Sequence, residues 1–160
     1  MLVTSKGAGF VAKAFQFDFL LKLAIDKRED AARAISAALH KLEQARERAR
    51  QIDQYREEYR RRLGDTASRG MRMQQWNDFQ LFLAKLDQAV EQQAHEQVRC
   101  ETLLETRKQA WLECEREVKA YETLQDRHEA REGQREAKLE QKQTDEWAAI
   151  LQRRRDEQAG

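Results

Sequence analysis

The sequence contains no proline and only six glycines among its 160 residues. Proline is the strongest helix breaker, and its absence removes one cause of interruption in a long helix. Cysteine is scarce too, with only Cys100 and Cys114. On one helix these would lie about 21 Å apart along the axis, whereas bridged Cα atoms are about 4.4–6.8 Å apart. We therefore expect no disulfide between them and interpret both as small buried apolar residues.

An excess of one charge is also absent. The 30 basic and 29 acidic residues give a formal net charge of +1. Nucleic-acid binding needs a basic face, so we expect no nucleic-acid partner. No run reaches the roughly 18 apolar residues of a membrane span. Asp18 interrupts the apolar start, and no small-residue cleavage site follows. We expect a cytoplasmic protein without a signal peptide.

Motifs for chemistry are missing as well. The chain has neither GxxxxGK[ST] nor GxGxxG, and His40, His95 and His128 lack companions at metal-ligand spacing. Carboxylates on long helices have no cleft that would shift their pKa values. We predict that the protein is not an enzyme and holds no cofactor or metal.

What the sequence does have is a long heptad pattern. From Trp76 to Tyr121, mostly apolar residues recur in alternating steps of three and four, the period of a helix supercoiled against another helix. We call this line of residues the second stripe, because a similar one precedes it in the chain. It comprises Trp76, Phe79, Leu83, Leu86, Val90, Gln93, Gln97, Cys100, Leu104, Arg107, Trp111, Cys114, Val118 and Tyr121.

A matching stripe precedes it. Its middle is rich in alanine, which favours helix and lets another helix approach closely. This first stripe comprises Phe17, Leu21, Ala24, Arg28, Ala31, Ile35, Ala38, Leu42, Ala45, Ala49, Ile52, Arg56, Tyr59 and Leu63. Between the stripes lies the turn-like segment GDTASRG, where Gly64 suits a helix C-cap.

The two stripes predict an all-α fold, an antiparallel two-helix coiled-coil hairpin in which helix 2 extends beyond helix 1. We expect a single elongated domain over residues 1–160. Its predicted parts are a flexible arm (1–13), helix 1 (14–63), a turn (64–72) and helix 2 (73–155). Folding about residue 69 sets Ala38 opposite Cys100, Ile35 opposite Leu104 and Trp111 opposite Arg28. An antiparallel dimer would satisfy the same stripes, so both assemblies stay open here.

Helix 2 continues where helix 1 has ended. Its far end carries apolar residues, among them Leu139, Trp147, Ile150 and Leu151. Either a partner covers these residues or they belong to a frayed tail, and the sequence favours neither alternative. Two basic runs, 60–62 and 153–155, lie near the predicted helix ends. We attribute both to the dipole of a helix C-terminus and keep an acidic binding partner as the less favoured alternative.

Additional apolar residues lie near the turn. Phe82, Leu86, Ala89 and Gln93 form a line rotated slightly from the second stripe, and Ile52, Tyr55 and Tyr59 lie at the same level of helix 1. Aromatic side chains on so thin a hairpin are candidates for contact with a partner. The alternative is that they wrap around the stripes near the turn.

Four segments in this order resemble the family of the flagellar export protein FliJ. The first is FQF at residues 15–17 leading to REDAAR at 28–33, and the second is IDQYREEYR at 52–60. The third is WNDFQLFLAKLDQAV at 76–90, and the fourth is KLEQKQTDEW at 138–147. The resemblance covers nearly the whole chain.

The resemblance implies a component of the flagellar type III protein export apparatus with the same hairpin fold. Such proteins act as a stalk that binds the export ATPase ring, contact the cytoplasmic domain of the export gate and escort export chaperones. The resemblance therefore also implies a cytoplasmic protein held peripherally at the inner membrane, at the flagellar base. The competing hypotheses are a self-associating structural rod and the equivalent stalk of a virulence secretion system.

The resemblance also implies where partners bind. The export-gate contact would comprise Phe82, Leu86, Ala89 and Gln93, the last being a position where relatives often have histidine. A neighbouring exposed stripe would comprise Arg48, Ile52, Tyr55 and Tyr59. A stalk must insert an end into the ring, so we expect the ATPase contact at the chain ends, with Trp147, Ile150, Leu151, Phe15 and Phe17.

Overall fold

The structure is a computed structural model that describes the backbone of residues 5–160 and the side chains of residues 16–160. It consists of two helices, α1 (Ser5–Ser68) and α2 (Met73–Ala159), and the described backbone contains no strand. The two helices pack against each other. The predicted all-α helical hairpin is therefore confirmed.

Both helices are longer than the sequence pattern predicted. α1 begins at Ser5 rather than at residue 14, so residues 5–13 of the predicted arm are helical. It ends at Ser68 rather than at residue 63, and α2 ends at Ala159 rather than at residue 155. Gly64 lies inside α1 and is not its C-cap. One glycine costs a helix only about 1 kcal/mol, so it does not end a helix whose neighbouring Leu63 is buried.

The turn between the helices comprises residues 69–72. The backbone N–H of Gly70 donates to the Ala67 carbonyl oxygen at 3.2 Å, which closes the end of α1. Gly70 has a φ of 95°, a left-handed conformation that strains residues with a Cβ. α2 then begins with part of a capping box, because the Arg72 N–H donates to Oε1 of Gln75 at 3.5 Å. Gly70 therefore has the role that we predicted for Gly64.

The chain divides into two compact units, which we describe separately. The unit Asp26–Glu115 contains one core cluster of Ala38, Leu42, Ala45, Cys100 and Leu104, with Ile35 packed against it. The predicted neighbours Ala38 and Cys100, and Ile35 and Leu104, thus meet in the same cluster. A second cluster in this unit contains Leu63, Leu83 and Leu86. The single elongated domain stays a prediction.

A partly buried ion pair joins the two helices in this unit. The guanidinium of Arg28, which was predicted opposite Trp111, donates to Oε2 of Glu115 at 2.8 Å, one helical turn further along α2. Both side chains are largely buried, so the pair is screened by water less than a surface ion pair would be. The long arginine side chain spans this offset, and the pairing of Arg28 with Trp111 stays a prediction.

The other unit comprises Met1–Ile25 and Arg116–Gly160. Ala24 and Val118 are buried there. The Gln125 side-chain amide donates to Oδ1 of Asp18 at 2.6 Å, and the rings of Phe17 and His128 lie 5.7 Å apart. From Gly133 onward every residue is exposed. This last part of α2 therefore buries no side chain in the protein itself.

Burial follows the heptad pattern closely. Among residues 16–160, the ten buried apolar residues all occupy positions of the two predicted stripes: Ala24, Ala38, Leu42, Ala45, Leu63, Leu83, Leu86, Cys100, Leu104 and Val118. Cys114 is half-buried. Trp76 and Arg107 are exceptions, since both are exposed. Trp76 lies in the first turn of α2, where the opposing helix ends, and Arg107 carries a charge that favours solvent.

The two glycines near the turn give a matched pair of variants. Gly64→Ala should raise the free energy of unfolding by about 0.5–1 kcal/mol, because alanine favours helix and a Cβ there meets no atom within 4 Å. Gly70→Ala should lower it by about 1 kcal/mol or more, because the left-handed conformation strains alanine. Urea unfolding of both variants measures the difference, and equal shifts of the same sign would contradict this account of the turn.

Candidate functional site

An aromatic cluster lies beside the turn in the unit Asp26–Glu115. α1 contributes Tyr55 and Tyr59, four residues apart on one helix face, and α2 contributes Phe79 and Phe82. The ring of Tyr59 lies 4.6 Å from that of Phe82 and 5.2 Å from that of Phe79, both tilted. Tyr55 and Phe82 meet edge to face at 6.4 Å. Such geometries favour aromatic pairs beyond their apolar burial.

This cluster packs on the buried core next to the turn. Tyr59, Phe79 and Phe82 are half-buried against the cluster formed by Leu63, Leu83 and Leu86. Tyr55 stands further out, with 48% of its surface exposed. The aromatic cluster thus has an inner part that stabilises the hairpin and an outer edge that water reaches.

The residues expected at the export gate lie partly against α1. Leu86 is buried, with 9% of its surface exposed. The amide of Gln93 donates to the Ala45 carbonyl oxygen on α1 at 3.1 Å. Phe82 packs between the two tyrosines, and Ala89 is half-buried. The four residues share one face of α2, but Leu86 and Gln93 are already occupied with α1.

The neighbouring stripe on α1 is more accessible. Arg48 and Tyr55 are exposed, whereas Ile52 and Tyr59 are half-buried. Phe82 of the first predicted set contacts both tyrosines of the second, and Tyr55 is the exposed one of the two. Tyr55 and Phe82 form the centre of the candidate site, which we call the Tyr55–Phe82 surface.

Charged groups border this surface. The Arg56 guanidinium donates to Oδ1 of Asp87 on α2 at 3.3 Å and to Oδ1 of Asp53 at 2.6 Å. Arg60 lies 3.5 Å from the same Asp87 carboxylate. Sequence reasoning missed this bridge because it treated Arg56 only as a stripe position. Folding about residue 69 sets Arg56 opposite Phe82, five residues before Asp87, so the register alone gave no signal for this contact.

The residues expected to contact the ATPase are not gathered at one place. Trp147, Ile150 and Leu151 are exposed on α2, with 65% of the Trp147 surface accessible. Phe17 packs against His128 instead, about 28 Å before Trp147 along the helix axis. The side chain of Phe15 lies outside the described residues. The exposed residues Trp147, Ile150 and Leu151 follow each other at helical spacing and share one face, which we call the tail face.

The described residues form no metal centre and no membrane span. Among the described residues, no group of three or more histidine, cysteine, aspartate or glutamate side chains is arranged to hold a metal ion. Within the same residues, no helix is long and apolar enough to cross a membrane.

Tyr59 gives the aromatic cluster a measurable pH signature. Burial raises its pKa above the ordinary tyrosine value, and the nearby Tyr55 and Asp78 act in the same direction. The folded protein therefore holds this proton more tightly than the unfolded chain. Stability is unaffected below the ordinary pKa of about 10 and falls as the pH rises from there through the raised pKa.

Tyr59→Phe should therefore flatten the alkaline decline in the free energy of unfolding. Urea unfolding at a series of alkaline pH values measures this decline, and Tyr121→Phe, the same substitution on the other helix, is the control. A decline that is as steep in Tyr59→Phe as in the unchanged protein would show that Tyr59 is not shielded from water.

Comparison with known proteins agrees with this architecture. The family model described as "Flagellar FliJ protein" matches residues 13–157. The flagellar FliJ proteins of Salmonella typhi and Escherichia coli strain K12 are each 29% identical to the chain over 138 residues. That alignment covers 86% of this chain and 94% of each relative. It extends over both helices and includes the aromatic cluster and the turn, so the chain belongs to the flagellar FliJ protein family, whose members are components of the flagellar protein export apparatus.

Proposed function

We propose that this protein is a non-catalytic stalk that binds the export ATPase ring and couples it to the export gate. In this proposal the tail face contacts the ATPase, and the Tyr55–Phe82 surface contacts the cytoplasmic domain of the gate. The protein acts in the cytoplasm, held peripherally at the inner membrane through these partners. It also escorts export chaperones, for which we assign no residues.

The observation that carries the proposal is the exposure of the tail face. Every residue from Gly133 to Gly160 is exposed, yet Trp147, Ile150 and Leu151 lie on one side of the helix. An isolated helix gains nothing from displaying large apolar side chains to water, whereas binding to a partner would bury them. Tryptophan in particular is enriched among residues that dominate binding energy.

The gate contact rests on the outer edge of the aromatic cluster. Tyr55 is half accessible but held by Phe82, so little side-chain freedom is lost when a partner covers it. Arg48 is exposed on the same line of α1 and adds a charge at the rim. A small rigid aromatic centre with polar neighbours is the usual composition of a protein-binding surface.

The tail face gives a direct test of ATPase binding. The double change Trp147→Ser plus Leu151→Ser should weaken binding of the purified export ATPase at least tenfold in titration calorimetry. The helix content should persist, because both side chains are exposed and bury nothing in the protein.

The matched control removes two exposed apolar side chains elsewhere on α2, by Val98→Ser plus Leu112→Ser. This control should bind the ATPase within twofold of the unchanged protein. Equal weakening by both double variants would point to general surface hydrophobicity rather than to the tail face.

A second test addresses the gate contact. Tyr55→Ala should weaken binding to the gate's cytoplasmic domain at least fivefold with little loss of stability, because half of its side chain is already exposed. Leu86→Ala is unsuitable on its own, since a buried leucine costs about 2–5 kcal/mol to truncate. Surface-immobilised gate domain and soluble variants measure the affinities.

The control for this test is Leu81→Ala, which removes an exposed apolar residue about 100° around α2 from Phe82. It should leave gate affinity unchanged. Unaltered binding by Tyr55→Ala would place the gate contact elsewhere, and the ATPase test would be unaffected by that outcome.

A further inference from the structure

Positive charge is concentrated at the turn. Residues 60–72 contain the arginines Arg60, Arg61, Arg62, Arg69 and Arg72 and a single acidic residue, Asp65, so this segment has a formal charge of +4. The whole chain has a net charge of only +1, and the remaining residues together carry −3. A nearly neutral protein thus has one strongly basic segment, at the connection of its two helices.

The helix dipole does not account for these arginines. We attributed residues 60–62 to the C-terminus of helix 1, but α1 continues to Ser68 and has no basic residue in its last turn. The dipole effect decays within that last turn. The C-terminus of α1 and the N-terminus of α2 also lie together at the turn, so their opposite partial charges offset each other. The arginine side chains therefore set the local charge.

Most of these arginines have no acidic partner. Arg60 is paired with Glu57 at 3.2 Å and lies 3.5 Å from Asp87. The side chains of Arg61, Arg62, Arg69 and Arg72 form no hydrogen bond or ion pair within the described part of the chain. All four residues are exposed. Their guanidinium groups are available to carboxylates of another molecule.

A shallow cleft lies in the same stretch of chain as these arginines. Its volume is about 370 Å³, and it is lined by Ala67, Met71, Met73 and Trp76. Met73 is 76% exposed, and Trp76 is 40% exposed. The volume lies at the lower end of binding clefts, which span about 300–1,000 Å³, and therefore suits one large side chain. Methionines adapt their shape to such an occupant.

We propose that the turn binds an acidic segment of a partner protein that inserts one large apolar side chain into this cleft. Carboxylates on both sides of that side chain pair with Arg61, Arg62, Arg69 and Arg72. The charge of the turn selects an acidic partner, and the volume of the cleft is sufficient for one large side chain of that partner. The inference is independent of the ATPase and gate contacts proposed above, which use other residues.

The test uses the full chain and a synthetic probe peptide with one leucine flanked by four acidic residues on each side. Trp111→Phe plus Trp147→Phe leaves Trp76 as the single tryptophan, so that its emission reports occupation of the cleft. Peptide binding, followed by fluorescence anisotropy, should shift the Trp76 emission to shorter wavelength.

Two changes separate the charge from the cleft. Arg69→Glu plus Arg72→Glu should weaken peptide binding at least tenfold, and replacing the leucine of the peptide by serine should weaken it at least fivefold. Met73→Ser tests the cleft without touching the core.

The control, Arg127→Glu plus Arg131→Glu, makes the same charge reversal on exposed residues of α2. The affinity of this variant for the peptide should stay within threefold of that of the unchanged protein.

Three results would contradict the proposal or one part of it. Equal binding of the leucine and serine peptides would overturn the role of the cleft. Absence of peptide binding would overturn the proposal, and binding to vesicles of phosphatidylserine and phosphatidylcholine in its place would assign the turn to membranes. Equal loss in the Arg69/Arg72 and Arg127/Arg131 variants would reduce the effect to net charge and contradict a specific site.

Discussion

The close packing of an alanine-rich face of α1 against leucine and cysteine of α2 is the interaction on which the rest of the structure depends. Burial of a leucine such as Leu42 contributes about 1.5–3 kcal/mol, whereas an exposed ion pair on the same helix contributes about 0.2–1 kcal/mol. Each arginine–carboxylate pair on the surface therefore contributes less to the stability of the hairpin than a buried leucine does. Without the paired stripes, neither long amphipathic helix has a surface to bury.

Polar contacts within the unit Asp26–Glu115 fix how the helices align. Gln93 donates to the Ala45 carbonyl, and Arg28 pairs with Glu115, so a slip of one helix along the other would leave partly buried polar groups unpaired. This alignment brings Tyr55 and Tyr59 beside Phe82. The same contacts thus define the helix pairing and the position of the candidate gate surface.

The heptad spacing alone predicted each apolar residue that is buried within residues 16–160, because steps of three and four leave only one face of a helix for burial. It could not predict where α1 ends. Both Gly64 and Gly70 are compatible with a turn, and only the path of the backbone shows which one adopts a positive φ. It also could not predict that Gln93 donates to the Ala45 carbonyl oxygen or that Arg56 bridges to Asp87. Long side chains at a stripe edge can turn toward either the partner helix or water, and the nearest available partner decides.

The central claim is that the two stripes of one chain bury each other. Light-scattering mass of the purified protein over a range of concentrations tests it most directly. An intramolecular hairpin predicts the mass of one chain at every concentration. A stable mass of two chains would mean that the stripes are satisfied between molecules, which would contradict the intramolecular hairpin and favour a self-associating rod.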